Sequence, residues 1–149
     1  MESFLKKIIE HLSALVTILK DQFGKEVRYK TKYQTITVTK ANLTVAGRYT
    51  DSQELDTNFE FADGVQVIEL GTGGIAFYSI GIEDKNNTYH TITHKKDWQA
   101  GSDTPINDRY KDIFIQVVRG EKLDIKTEFA NNLAAELSYQ IIFRLRKKI

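Results

Sequence analysis

The hydrophobic period changes once along this chain, near Gly24, and that change limits the fold more than any other feature. Upstream, Leu5, Ile8, Ile9, Leu12, Leu15, Val16, Leu19 and Phe23 recur at the threes and fours of a helix. One amphipathic helix is predicted over residues 3–23. Ser3 serves as its N-cap, Lys20 lies in the last turn where the dipole favours a cation, and Gly24 follows its end. Downstream the helical period does not return. Apolar residues alternate in twos, or run together briefly, between clusters of Gly, Asp and Asn.

The downstream pattern predicts strands over residues 27–39, 42–49, 58–61, 65–70, 75–82, 88–94, 112–118, 123–129 and 137–145. Ala62-Asp63-Gly64 reads as a hairpin turn. The run 75–82 is nearly all apolar and reads as a central strand. The last strand places Leu137, Tyr139, Ile141, Phe143 and Leu145 on one face, with Arg144 and Arg146 on the other. Phe77, Ile115, Ile125, Ile141 and Phe143 are the predicted core. Eight or nine short strands without interleaved helices imply an all-β chain: an antiparallel β-sandwich or jelly roll behind one N-terminal helix. The division expected is a helix over 1–24 and a β domain over 25–149.

Composition narrows the chemistry. With 149 residues and 41% hydrophobic content, one domain can bury a core without staples. The absence of cysteine excludes disulfides, thiolate metal sites and cysteine nucleophiles. A net charge of +1 gives no field that would gather nucleic acid. No apolar run is long enough to span a bilayer, and Lys6, Lys7 and Glu10 interrupt what would otherwise resemble a leader.

The motifs that invite a catalytic reading lack their partners. Gly71-Thr72-Gly73-Gly74 has no Lys-Ser/Thr and no helix after it, so it reads as a turn rather than a phosphate loop. His90 and His94, four apart on a strand, have no third ligand at a diagnostic spacing. The carboxylate pairs Glu54 with Asp56 and Glu121 with Asp124 read as solvated, and no nucleophile elbow is present. Triplets beginning at Asn42 and Asn86 match the glycosylation sequon, a pattern that chance produces often. The basic end, Arg144 to Lys148, reads as an edge strand kept soluble by charge. No enzyme, cofactor or metal is expected.

Two places remain for contacts. In the helix, Leu5, Ile8, Leu12, Leu15 and Leu19 fit alternating a and d positions, widened by Ile9 and Val16. These five are the expected oligomer contact, a trimer being one state they suit; packing on the chain's own sandwich is the competing role. An interfacial membrane helix is disfavoured by Glu10 and Asp21 on the polar face. The second place is the long polar loop 95–111. There Trp98, Asn107, Arg109 and Tyr110 suit a glycan or a neighbouring subunit, unless Trp98 turns inward and pins the loop.

Arg119-Gly120-Glu121-Lys122-Leu123-Asp124-Ile125, then Asn131-Asn132, then 137–145, resembles the closing strands of viral jelly rolls. With the leading helix, this is similar to small virion proteins of bacteriophages: spikes, pentons, head fibres and decoration proteins. The resemblance covers about the last thirty residues. It implies a structural or attachment subunit in a virion assembled in the host cytoplasm, with itself, other virion proteins and a glycan receptor as partners. The alternative class is a carbohydrate-binding β-sandwich module.

Overall fold

The computed structural model describes residues 2–23, 27–98, 105 and 108–149. They form two compact units, Met1–Tyr29 with Lys148–Ile149, and Lys30–Lys147. The first contains helix α1 (Glu2–Phe23) and a backbone hydrogen bond from Ile149 to Arg28. Ser3 lies inside the first turn rather than capping it, and Gly24 lies outside the described residues.

The strands are β1 (Tyr29–Lys40), β2 (Gly47–Gln53), β3 (Phe61–Thr72), β4 (Ser79–Glu83), β5 (Thr88–His94), β6 (Lys111–Gln116), β7 (Leu123–Phe129) and β8 (Leu137–Lys148). One sheet has the order β1-β8-β3-β6 and the other β2-β7-β4-β5. The pairs β1·β8, β2·β7, β3·β6 and β4·β5 are thus nested, and alternate between sheets. That is a long hairpin wound on itself, the jelly-roll order. The expected sandwich is therefore present, with its β-strand winding defined.

Alternation builds the middle of each sheet, strict in β7 and broken in β8 only by the buried Ser138. Leu123, Ile125, Thr127 and Phe129 of β7 are buried, as are Leu137, Tyr139, Ile141, Phe143 and Leu145 of β8. A polar chain crosses this apolar packing. Thr127 shares a hydrogen bond with the Tyr139 hydroxyl, and the Tyr139 ring stacks on Tyr78 at 5.5 Å. The Tyr78 hydroxyl donates to Glu69 (2.9 Å), which also accepts from the Lys95 ammonium (2.8 Å). Each member of this chain is thereby paired, as a low-dielectric interior requires. Burial pushes the phenols of Tyr78 and Tyr139 above their ordinary range; Glu69 adds to the first, while Thr127 works against the second.

Four expectations are corrected. Asp63-Gly64 is not a hairpin turn: β3 runs straight through it, with a register shift between Ala62 and Gly64 against both β6 and β8. A bulge and a tight turn draw on the same residue types. The bulged Asp63 carboxylate accepts from Arg144 Nε (2.6 Å) and Arg146 Nε (3.1 Å). The basic end is accordingly no edge strand, because β8 lies between β1 and β3 and its arginines are paired. The apolar run 75–82 yields a strand only over 79–83, and Phe77 is 64% exposed rather than core. Gly73 and Gly74, both at positive φ, turn the chain first, and the Gly73 carbonyl accepts from Ala134 and Ala135. Finally, β2 starts at Gly47, because Leu43 sits at φ 69° in a turn tied to Leu133 by two backbone hydrogen bonds.

Candidate functional site

Helix α1 carries the first surface. Leu5, Ile8, Leu12, Leu15 and Leu19 are all exposed, as are Ile9 and Val16. Phe4 and Ile18 are exposed as well; both extend the stripe, and the a/d spacing alone does not select them. The polar side is quiet: Thr17 donates its hydroxyl to the Ser13 carbonyl, one turn back (3.0 Å). A stripe of this size left in water is unfavourable at roughly 25 cal/mol per Å² of apolar surface.

The loop residues separate. Trp98 follows a short 3-10 turn (Lys95–Asp97) and is 2% exposed. Its indole N–H donates to the Ile80 carbonyl (3.1 Å), and His90 lies against its ring at 4.1 Å. It is therefore a core residue and not an exposed contact. Its buried N–H needed an acceptor, and the carbonyl on β4 supplies one. Arg109 and Tyr110 are half-buried, while Asn107 lies outside the described residues.

Tyr110 belongs to the second surface, the outer face of the β1-β8-β3-β6 sheet. Arg146 Nη1 donates to the Thr31 hydroxyl (2.6 Å) and Thr39 shares a hydrogen bond with Ser138 (3.3 Å). On β3, Gly64 lies across from Arg144 of β8 on one side and from Asp112 of β6 on the other. The Tyr33 and Tyr110 rings are 5.6 Å apart, and the Arg144 guanidinium stands 5.3 Å from the Tyr110 ring centre. Gly64 makes room for this: a Cβ there would meet Arg144 Nη2 at 3.1 Å and Tyr110 Cβ at 3.2 Å. Burial, with Tyr33 beside it, pushes the Tyr110 phenol up. Because Asp63 meets the charge of both arginines, this face offers aromatic contact more than anion binding. Tyr33 was not singled out from sequence, and Asp63 and Gly64 only as a turn, since no local spacing joins them to Arg144 and Tyr110.

The outer face of the other sheet is a polar ladder. Arg48 pairs with Glu128 (2.6 Å), Lys126 with Glu83 (3.4 Å), and Ser52 donates to Asp124. The carboxylates singled out earlier have structural partners: Asp56 holds Lys32 (2.6 Å), and Glu54 accepts from the Gly120 amide (2.8 Å). Hydrogen bonding by Lys32 holds Asp56 below the usual carboxylate range. A cleft of about 430 Å³ lined by Asp84, Glu121 and Asp124 lies between two turns. Desolvation raises the Asp84 carboxyl, but the Tyr89 hydroxyl and the Asn86 and Asn87 amides outweigh it, and the net shift is downward. Those amides mark Asp84 as a turn-forming side chain. The His94 ring accepts from the Lys96 amide (3.2 Å), and His90 faces Trp98. Among the described residues, no group of three or more His, Asp or Glu side chains could hold a metal ion. Among them, too, no helix is long and apolar enough to cross a membrane.

No protein-family model, no curated protein and no solved structure matches the chain.

Proposed function

We propose that this chain is a non-enzymatic structural or attachment subunit of a phage-like particle that assembles as a homo-oligomer. One observation carries the reading: a helix with a continuous, exposed apolar stripe precedes a jelly roll. A stripe of this kind gains most by meeting a matching surface, and the nearest matching surface is another copy of itself. Viral capsid and lectin domains use the same winding, which supports a displayed or wall-forming role by fold analogy. The tyrosine–arginine face and the loops at the sandwich ends then remain for contact with a neighbouring virion protein or a receptor glycan.

Size exclusion with light scattering on the full chain, beside Leu12→Asp with Leu15→Asp, tests the assembly. The expected result is an oligomer for the native sequence and a monomer for the double variant, with the sandwich melting at the same temperature in both. A native chain that stays monomeric at about 100 μM overturns the proposal. If that monomer binds immobilised glycans, the carbohydrate-binding alternative replaces it.

A further inference from the structure

The helix carries more apolar surface than a two-stranded seam can cover. With Leu5 set at a, Leu12 and Leu19 repeat at a, while Ile8 and Leu15 fall at d. Phe4 and Ile18 then fall at g, and Ile9 and Val16 at e. In a two-stranded coil, e and g flank the seam and carry charges that choose the partner. Here Lys6, Lys7, Glu10, Lys20 and Asp21 all fall at b, c or f, and none at e or g. Only Glu2, at e in the first turn, and His11, at g, place polar residues at flanking positions.

Exposed area points the same way. The nine apolar side chains are each 39% to 67% exposed. The five seam residues offer roughly 500 Å² and all nine roughly 900 Å², against about 800 Å² per partner in a stable interface. A pair of helices would therefore fall short and leave the four flanking side chains wet. In a bundle of three or more, each helix meets two neighbours, and e and g turn toward them. Leu at a with Ile at d, as in the first heptad, also favours more than two strands.

We infer that the occupants of this face are at least two further copies of the chain, in a cyclic bundle of three or more helices. Phe4, Ile9, Val16 and Ile18 pack between neighbours in that bundle. This rests on the self-association proposed above and fixes its minimum order. Native mass spectrometry and sedimentation velocity on the full chain read that order directly. The expected mass is three or more times 17.1 kDa. A dimer overturns the bundle but leaves self-association standing; a monomer overturns both. Ile9→Lys with Val16→Lys charges the two e positions and leaves a and d intact. Its order should drop to two or one while the sandwich melts as before, and an unchanged order overturns the inference. A chain that is monomeric alone but pelleted by vesicles of anionic lipid has a membrane on this face instead, which also overturns it.

Discussion

Replacing Trp98 by Ala removes the chain's one indole from the core. The indole is 2% exposed, so nearly all of its area returns to water or to a void in the variant. Buried Trp→Ala changes destabilise by about 3–5 kcal/mol. The Ile80 carbonyl also loses its indole donor, which adds about 1 kcal/mol or more when the acceptor stays buried. Lys111, whose ammonium stands 5.2 Å from the ring centre, loses a smaller cation–π term. The expected total is about 5 kcal/mol, a large share of the 5–15 kcal/mol that holds a domain of this kind together. Trp98→Phe keeps a ring and loses the N–H, so about 1–2 kcal/mol is expected. At about 3–5 °C per kcal/mol, the two variants should melt more than 12 °C and about 3–10 °C below the native chain. Urea unfolding followed by far-ultraviolet circular dichroism reads both without needing tryptophan fluorescence. A loss under about 1 kcal/mol for Trp98→Ala would refute the reasoning and return this residue to the surface as a contact.

Phe143→Ala, at a fully buried position of β8, should cost about 3–5 kcal/mol in the same assay, and a loss below about 1 kcal/mol would reverse the register of that strand. Gly73→Ala places a Cβ at φ 66° and 2.8 Å from Leu133, so a loss of more than about 1 kcal/mol is expected; a neutral melt would contradict the turn geometry. Burial holds the phenols of Tyr78 and Tyr139 above their ordinary range, so the folded chain keeps protons that the unfolded chain releases above about pH 10. Their contribution is complete below that pH and is lost as pH rises toward the folded values. Stability measured from about pH 8 to 11 should fall at the alkaline end, less steeply in Tyr139→Phe, and a flat native profile would contradict it.

What the sequence makes legible follows physical locality. The switch of period near Gly24 announces the helix and the strands, and β7 and β8 are plain because the first alternates throughout and the second has only Ile142 as an apolar break on its polar face. The reading fails where one residue pattern serves two geometries. Asp63-Gly64 carries the chemistry of a hairpin turn and makes a bulge; the deciding partners, Arg144 and Arg146, lie 81 and 83 residues away. The run beginning at Ile75 is apolar enough for a strand, but the Gly73-Gly74 turn binds to 134–135 and sends Phe77 outward. The direction of Trp98 depends on one carbonyl on β4. The helix stripe was legible as seven positions, Ile9 and Val16 among them, whereas Phe4 and Ile18 needed the exposure of the folded chain to join them.

The nested pairing also sets the order in which the roll can close. Only Asp84 to Asn87 separates β4 from β5, so this hairpin needs the least loop entropy. Each pair outward encloses the ones before it. Joining β1 to β8 first would instead close a loop of nearly the whole sandwich. With the inner pairs formed, the same contact ties off only the short connections that remain. Closure therefore runs from the inside outward. Changes at Ile80 or Ile82 should slow folding, and changes at Ile36 or Val38 should speed unfolding. During synthesis at roughly 5–20 residues per second, α1 precedes β8 by many seconds. Its stripe is thus in water, and available to neighbouring nascent copies, before the strand that completes its own sheet has been made.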